Sequence, residues 1–236
     1  MDPEEHRIAF ITGKTLEGFH IDIASSELKE GNIYKGVVER IEPSLQACFV
    51  DFGADRHGFL PMDSIHPEYY ATDEEIKKEH HIPHIEKVIK KGQEILVQVL
   101  KEMPGRKGAQ LTTYISIAGR YTVLTPGKTL NGISRKIENE EERNRLKSIM
   151  SKVKLPEGVG YIVRTVAEGQ SKSELIRDIN RQLRLWNNIR KKVGKAKPYT
   201  LIHKEQDLSL RTLRDYYTSD VSEIIVDDKE TFNKIK

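Results

Sequence analysis

The chain has almost no cysteine. Cys48 stands alone among 236 residues, which excludes an internal disulfide and any thiolate-rich zinc site built from this chain by itself. A reducing compartment suits such a composition. Also missing is any apolar run near the roughly 18 residues that mark a membrane-crossing helix. The first residues, MDPEEHRIAFITGKTLEGF, mix acids with polar side chains where a secretory signal would be basic and then apolar. A soluble, cytoplasmic protein is expected. A dominant charge is lacking too: 39 Lys and Arg face 36 Asp and Glu, a formal +3. So small a surplus does not announce a nucleic-acid partner; only its distribution along the chain can. There is no internal repeat and no low-complexity segment, which excludes solenoid and fibrous architectures.

What is present is patterned. From Ile33 the residues alternate as strands do, over 33–41, 46–52 and 57–60, separated by Glu42-Pro43-Ser44 and Gly53-Ala54-Asp55. This spacing predicts a three-strand meander. A charged stretch over 63–91 is predicted as a long loop with a short helix near 85–89. Strands over 94–101 and 109–113 follow, joined by Met103-Pro104-Gly105-Arg106-Lys107-Gly108. Five short strands with a long excursion between the third and fourth are the pattern of an OB-type barrel. Beyond Gly119 the character turns to mixed α and β. A helix is predicted over 140–153, with Leu146, Ile149, Met150 and Val153 on one face, and a strand over 159–166 carrying Arg164-Thr165 at its end. Ser171-Lys172-Ser173-Glu174 is a capping box, after which Ile176, Ile179, Leu183, Trp186, Ile189 and Val193 recur at spacings of three and four. After Pro198 the pattern predicts a helix over 208–217, a buried strand over 224–226 and a further helix in which the chain stops, so that more protein is expected past Lys236.

The barrel segment interleaves rings with cations: Tyr34 with Lys35, Phe49 and Phe52 on the second strand, Phe59 on the third, and Lys101, Arg106 and Lys107 around the fourth turn. Bases of single-stranded RNA stack on such rings while Lys and Arg hold the backbone. Lys35, Phe49, Phe52, Phe59, Lys101 and Lys107 are therefore the candidate RNA-binding residues. Rings in strands also serve as core. Phe49 is in phase with Ala47 and Asp51, and Phe52 with Cys48 and Val50, so the two cannot both lie inside. A second group is Arg164-Thr165, near Gly119-Arg120 and the turn Gly132-Ile133-Ser134-Arg135; a guanidinium fork beside a hydroxyl and a glycine loop can grip a terminal phosphate, or be ordinary solvated surface. A third is the segment from Ser171 to Pro198, where nine basic residues stand against Glu174 and Asp178, a charge that suits a polyanion or a plain solvated helix face. His80, His81 and His84 lack carboxylate or thiolate partners at ligand spacing and are expected in solvent, without metal. Cys48 reads as a small apolar strand residue rather than a nucleophile.

Asn32-Ile33-Tyr34-Lys35-Gly36, and the run from Ile41-Glu42-Pro43-Ser44 through Phe49-Val50-Asp51-Phe52-Gly53 to Arg56-His57-Gly58-Phe59-Leu60-Pro61, closely resemble the ribonuclease E/G family. The likeness continues at Lys107-Gly108-Ala109, Leu111-Thr112-Thr113, Ala118-Gly119, Gly132-Ile133-Ser134-Arg135, Leu155-Pro156-Glu157-Gly158, Val163-Arg164-Thr165 and Leu201-Ile202-His203, and so spans about Asn32 to Asp228. The resemblance implies an α+β chain in which a five-stranded OB-fold barrel is inserted into an RNase H-like domain beside a 5′-sensor region. The expected division is 1–31, the first piece of the RNase H-like domain; 32–114, the barrel; 115–207, the sensor region; and 208–236, a truncated second piece. It implies single-strand RNA contacts at Phe49, Phe59, Lys101 and Lys107, and a 5′-monophosphate pocket of Arg164 and Thr165 with backbone at Gly119 and Val123, supported by Arg135.

For the full-length parent the resemblance implies an endoribonuclease that cuts single-stranded RNA, preferably 5′-monophosphorylated, in rRNA processing and mRNA decay, with Mg2+ and Zn2+ as cofactors and a homo-oligomeric state. The magnesium-binding aspartates and the CPxC zinc link of the family are expected beyond Lys236, so this chain alone is expected to bind RNA without cutting it. Phe52 departs from the family, which often has Tyr there, and Asn131 stands where Gly is frequent. Asp178-Ile179-Asn180 repeats a tripeptide of the family's catalytic strand, but Ile179 lies on a helical apolar stripe, so the match is read as a decoy. The alternative reading is a non-catalytic RNA-binding module acting in translation or ribosome assembly; it accounts for the barrel but gives no role to Arg164-Thr165.

Overall fold

The computed structural model describes residues 5–23, 30–70, 84–103, 107–217 and 220–236. In chain order these form β1 (Glu5–Thr12), β2 (Thr15–Ile23), β3 (Ile33–Glu42), β4 (Ala47–Asp51), β5 (Gly58–Pro61), α1 (Ile85–Val88), β6 (Glu94–Lys101), β7 (Gln110–Thr112), β8 (Ile117–Ala118), β9 (Thr122–Pro126), β10 (Asn131–Ile133), α2 (Glu140–Met150), β11 (Val159–Val163), α3 (Lys172–Val193), β12 (Thr200–His203), α4 (Leu208–Tyr216) and α5 (Lys229–Ile235). The chain divides into two compact units, one of residues 1–27 with 206–236 and one of residues 28–205.

The larger unit is built on a barrel. β3, β4, β5, β7 and β6 are hydrogen-bonded in that order, and pairing of β3 with β6 closes the ring. The five strands of the expected OB-type barrel thus form, within a residue or two of their expected limits. Period-two alternation fills the interior: Val38, Cys48, Val50, Phe52, Leu60, Val97, Val99 and Leu111 are buried there, with Ile85 and Val88 added by α1. The β3–β4 connection turns through Pro43–Leu45 and closes on Gln46 in the left-handed region at φ 45°.

One wall of the barrel is buried on both sides. Along β3 and β6, Tyr34, Ile95 and Val97 point inward, while Ile33 and Leu96 belong to a second core. That second core is a layer of β10-β11-β9-β8 covered by α2 and α3 and joined by Ile202 of β12, which pairs antiparallel with the start of β3. Strand β6 accordingly reads as a nearly continuous apolar run, as a strand covered on both faces does. The shared wall makes residues 28–205 one unit although two segments of different character compose it. Helix α3 starts on the reciprocal Ser171–Glu174 capping box and buries Leu175, Ile179 and Ile189.

In the smaller unit β1 and β2 form a hairpin around Gly13, which takes φ +61°. Phe10, His20 and Tyr216 meet there, with ring centroids 4.7 Å apart for Phe10 and Tyr216, which ties α4 to the hairpin. Residues 224–226 correct an expectation. They form no strand: the run pairs with neither edge of the β1–β2 hairpin in its unit, and Ile224 and Ile225 are left 44% and 84% exposed. Among the described residues no helix is long and apolar enough to cross a membrane.

Candidate nucleic-acid interface

The barrel register brings five residues into one lateral row. Arg40 on β3 faces Phe49 on β4, Phe49 faces Phe59 on β5, Phe59 faces Gln110 on β7, and Gln110 faces Lys101 on β6. Residues directly opposite in a sheet project to the same side, so the row runs over the outer surface, one residue from each barrel strand. Phe49 and Phe59 are half-buried and pack edge to face at 5.9 Å, and the Arg40 guanidinium lies 4.8 Å over the Phe49 ring. Arg40 also pairs with Glu42 at 2.9 Å. Beside Phe49 is an open depression of about 360 Å³ lined by Glu39, Arg40, His57 and Lys91. Lys107 is exposed just before β7. Gly108 lets it approach, since a Cβ there would collide with the His57 carbonyl.

Two expected members of this face are corrected. Phe52 is fully buried and packs its edge on Tyr34 at 5.0 Å, because alternation along β4 assigns it to the interior with Cys48 and Val50. Lys35 projects to the doubly covered wall, where its ammonium pairs with Glu94 at 2.8 Å and donates to the Ala196 carbonyl at 3.0 Å. Burial pushes the Cys48 thiol up to about 12, in keeping with an inert apolar filler.

At one end of the four-stranded sheet a second group converges. Arg164, just past β11, donates from its guanidinium to the Gly119 carbonyl at 2.8 Å and from its own N–H to the Tyr121 carbonyl at 2.8 Å. Ser134, just past β10, donates its N–H to the Val163 carbonyl, and its hydroxyl lies 3.0 Å from that of Thr165. Thr165 and Arg135 are exposed. Val123 pairs with Ala118 and Ile162 on the neighbouring strands and so sits in the same sheet. The loop between β8 and β9 is held from beneath by α3: the Asp178 carboxylate accepts from the backbone N–H of Arg120, Tyr121 and Thr122 at 2.9–3.1 Å and from the Thr122 hydroxyl at 2.9 Å. Gln182 donates to the Thr122 carbonyl at 3.1 Å and to Asp178 at 3.1 Å. A Cβ on Gly119 would strike the Gln182 amide and the Asp178 carboxylate, so any larger residue here must displace the brace.

A model of the Ribonuclease E/G family matches residues 116–236, and an S1 RNA binding domain model matches residues 27–113, the barrel. The chain belongs to the ribonuclease E/G family. It is 44% identical over 235 residues to Ribonuclease E of Haemophilus influenzae, covering 99% of this chain and 25% of that protein. Against Ribonuclease E of Escherichia coli it is 44% identical over 226 residues, covering 95% of this chain and 21% of that protein. Against Ribonuclease G of Escherichia coli it is 36% identical over 233 residues, covering 99% and 47%. The chain thus spans between about a fifth and a half of the length of these curated relatives.

In this ribonuclease E/G chain, the structure gathers Phe49, Phe59 and Lys101 in one row and Gly119, Arg164 and Thr165 at one sheet end. Arg40 and Gln110 escaped the sequence reading because their place in the row depends on register, not on residue type. Asp178 and Gln182 had a legible signal. Gln182 falls on the buried stripe of an amphipathic helix, where a polar residue needs a partner. Ile179 is fully buried on that stripe, so Asp178-Ile179-Asn180 is helical and its carboxylate braces a loop. His84 is exposed near Gln46, whereas His80, His81 and Arg106 lie outside the described residues. Among the described residues no three His, Cys, Asp or Glu side chains come together as a metal site would require.

Proposed function

We propose that this chain is the RNA-binding and 5′-monophosphate-sensing portion of a metal-dependent endoribonuclease that cleaves single-stranded RNA, the parent enzyme acting in rRNA processing and mRNA decay as a cytoplasmic homo-oligomer. The observation that carries this reading is the row of Arg40, Phe49, Phe59, Gln110 and Lys101 across the barrel. Unpaired bases stack on the two rings for about 1–3 kcal/mol each. The guanidinium and ammonium at the ends of the row neutralise the phosphates on either side, and Lys107 adds a third cation. Every base has a flat face, so such a site tolerates many sequences and selects single strands.

The 5′ end is read at the other group. The Arg164 fork and the Thr165 and Ser134 hydroxyls present donors to a terminal phosphate, Arg135 adds charge, and the Asp178-braced loop keeps Gly119 in place. Magnesium and zinc belong to the parent in this reading. Among the described residues no donor set fits either ion. This chain alone therefore binds RNA and leaves it intact in magnesium.

The test is a comparison of two oligonucleotides that differ only in a 5′-monophosphate or a 5′-hydroxyl. Tighter binding of the first, abolished by Arg164→Ala while the 5′-hydroxyl affinity holds, is the expected result. Equal affinities with the unaltered chain would overturn the sensing role and favour a non-catalytic RNA-binding module. Cleavage that persists through repurification and chelator controls would overturn the assignment of chemistry to the rest of the parent.

A further inference from the structure

Helix α3 uses its apolar stripe and both of its acids internally. Leu175, Ile179, Gln182 and Ile189 are buried, Glu174 closes the capping box on Ser171, and Asp178 holds the β8–β9 loop. On the opposite side Arg177, Arg181, Arg184 and Lys191 are all exposed, and none of the four makes an ion pair or a side-chain hydrogen bond among the described residues. Their spacings of four, three and seven keep them within about 80° of one another around the helix, with Asn188 on the same line, over about 21 Å of its length. Lys195 continues the line in the turn beyond. Four cations held in file with no counter-charge among the described residues repel one another, and an anion laid along the ridge relieves that repulsion.

We propose that this ridge is a second RNA-binding surface, which holds a double-helical segment of the RNA by its phosphate backbone. The proposal rests on the RNA-binding reading above and extends it from unpaired to paired RNA. Three of the four cations are arginines, whose planar fork suits phosphate oxygens, and the Asn188 amide can donate to a phosphate or a 2′-hydroxyl. No ring accompanies them: Trp186, the one aromatic residue of the helix, lies on the core side. Single strands are gripped by rings interleaved with cations, as on the barrel. A ridge of cations alone suits a helix whose bases are already stacked. An anionic membrane is the poorer fit, because a helix that lies on lipid inserts an apolar face and the apolar face of α3 is already spent in the core.

The test uses the whole chain with all four ridge residues changed to Gln, a blunt RNA duplex of about 16 base pairs, the length a double-strand-binding domain covers, and a short unstructured oligonucleotide. Between about 50 and 200 mM salt, the slope of log K against log salt for the duplex should become shallower by about 3, four lost contacts at roughly 0.7–0.9 each, and duplex affinity should fall at least about tenfold. Affinity for the unstructured oligonucleotide should stay within about twofold, and a variant with Lys at all four positions should recover the slope. Unchanged duplex binding, or an equal loss on both RNAs, overturns the ridge as a separate site. Loss confined to anionic phosphatidylserine vesicles, with duplex binding intact, overturns it in favour of a lipid surface. If the unaltered chain binds the duplex but not the single strand, the barrel reading fails while the ridge stands.

Discussion

Replacing Phe59 and replacing Phe52 should fail in opposite ways, although both are phenylalanines of the same barrel, seven positions apart. Phe59 is half-buried on the outer row against Phe49. Phe59→Ala therefore removes one stacking platform, worth about 1–3 kcal/mol, which weakens binding of a single-stranded oligonucleotide about 5- to 140-fold. Its cost to the fold is the edge-to-face pair with Phe49, about 0.5–1.5 kcal/mol, together with the part of the ring that is buried, and no enclosed cavity is left. Phe52 is fully buried. Phe52→Ala leaves a cavity costing about 3–5 kcal/mol, which lowers the melting temperature by roughly 6–20 °C at the 2–4 °C per kcal/mol of a unit this size. Below that transition RNA binding should persist. Fluorescence anisotropy and thermal melting on both variants decide the matter. Unchanged affinity in Phe59→Ala with a normal melt, or a normal melt in Phe52→Ala, refutes the division of the two rings between surface and core.

Other outcomes follow from the sheet end and the core. Asp178→Asn loses the charge that accepts three backbone N–H groups and a hydroxyl, so the larger unit should lose about 1.5–3 kcal/mol and the monophosphate preference should vanish while affinity for a 5′-hydroxyl oligonucleotide holds, as denaturant titration and paired binding curves would record. Gly119→Ala should push the β8–β9 loop off its brace, seen as faster amide exchange over 119–122 with the barrel amides unaffected. Burial raises the Cys48 thiol from 9.0 to about 12, so the folded chain keeps its proton longer than the unfolded chain does. That contribution to stability is intact below pH 9 and is lost as pH climbs toward 12. Melting followed across that range should fall more steeply for the native chain than for Cys48→Ala.

Much of the architecture was legible in linear order. Period-two alternation between turn residues located the five barrel strands, and the capping box with its three-and-four spacing located α3. The residues of the proposed contacts were legible too, as rings and cations interleaved on strands. The β1–β2 hairpin is weakly signalled, by only a Gly13-Lys14 turn between mixed residues, and the β-branched run at 224–226 has the composition of a strand but pairs with no neighbour among the described residues.

Alternation by itself determined that Phe49 and Phe52 lie on opposite faces, since a period of two admits nothing else. Which of them faces solvent was decided only when the barrel closed and made one face an inside. Tertiary structure likewise took Lys35 away from RNA, by bringing the Ala196 carbonyl of the α3–β12 connection and the Glu94 carboxylate to its ammonium. It aligned Arg40 and Gln110 with residues up to seventy positions distant, and it turned Asp178 from a catalytic look-alike into a brace. A local pattern fixes the phase of a side chain along its own element; strand register, closure and the neighbour on the far side belong to contacts between elements, and those are absent from any window of the chain.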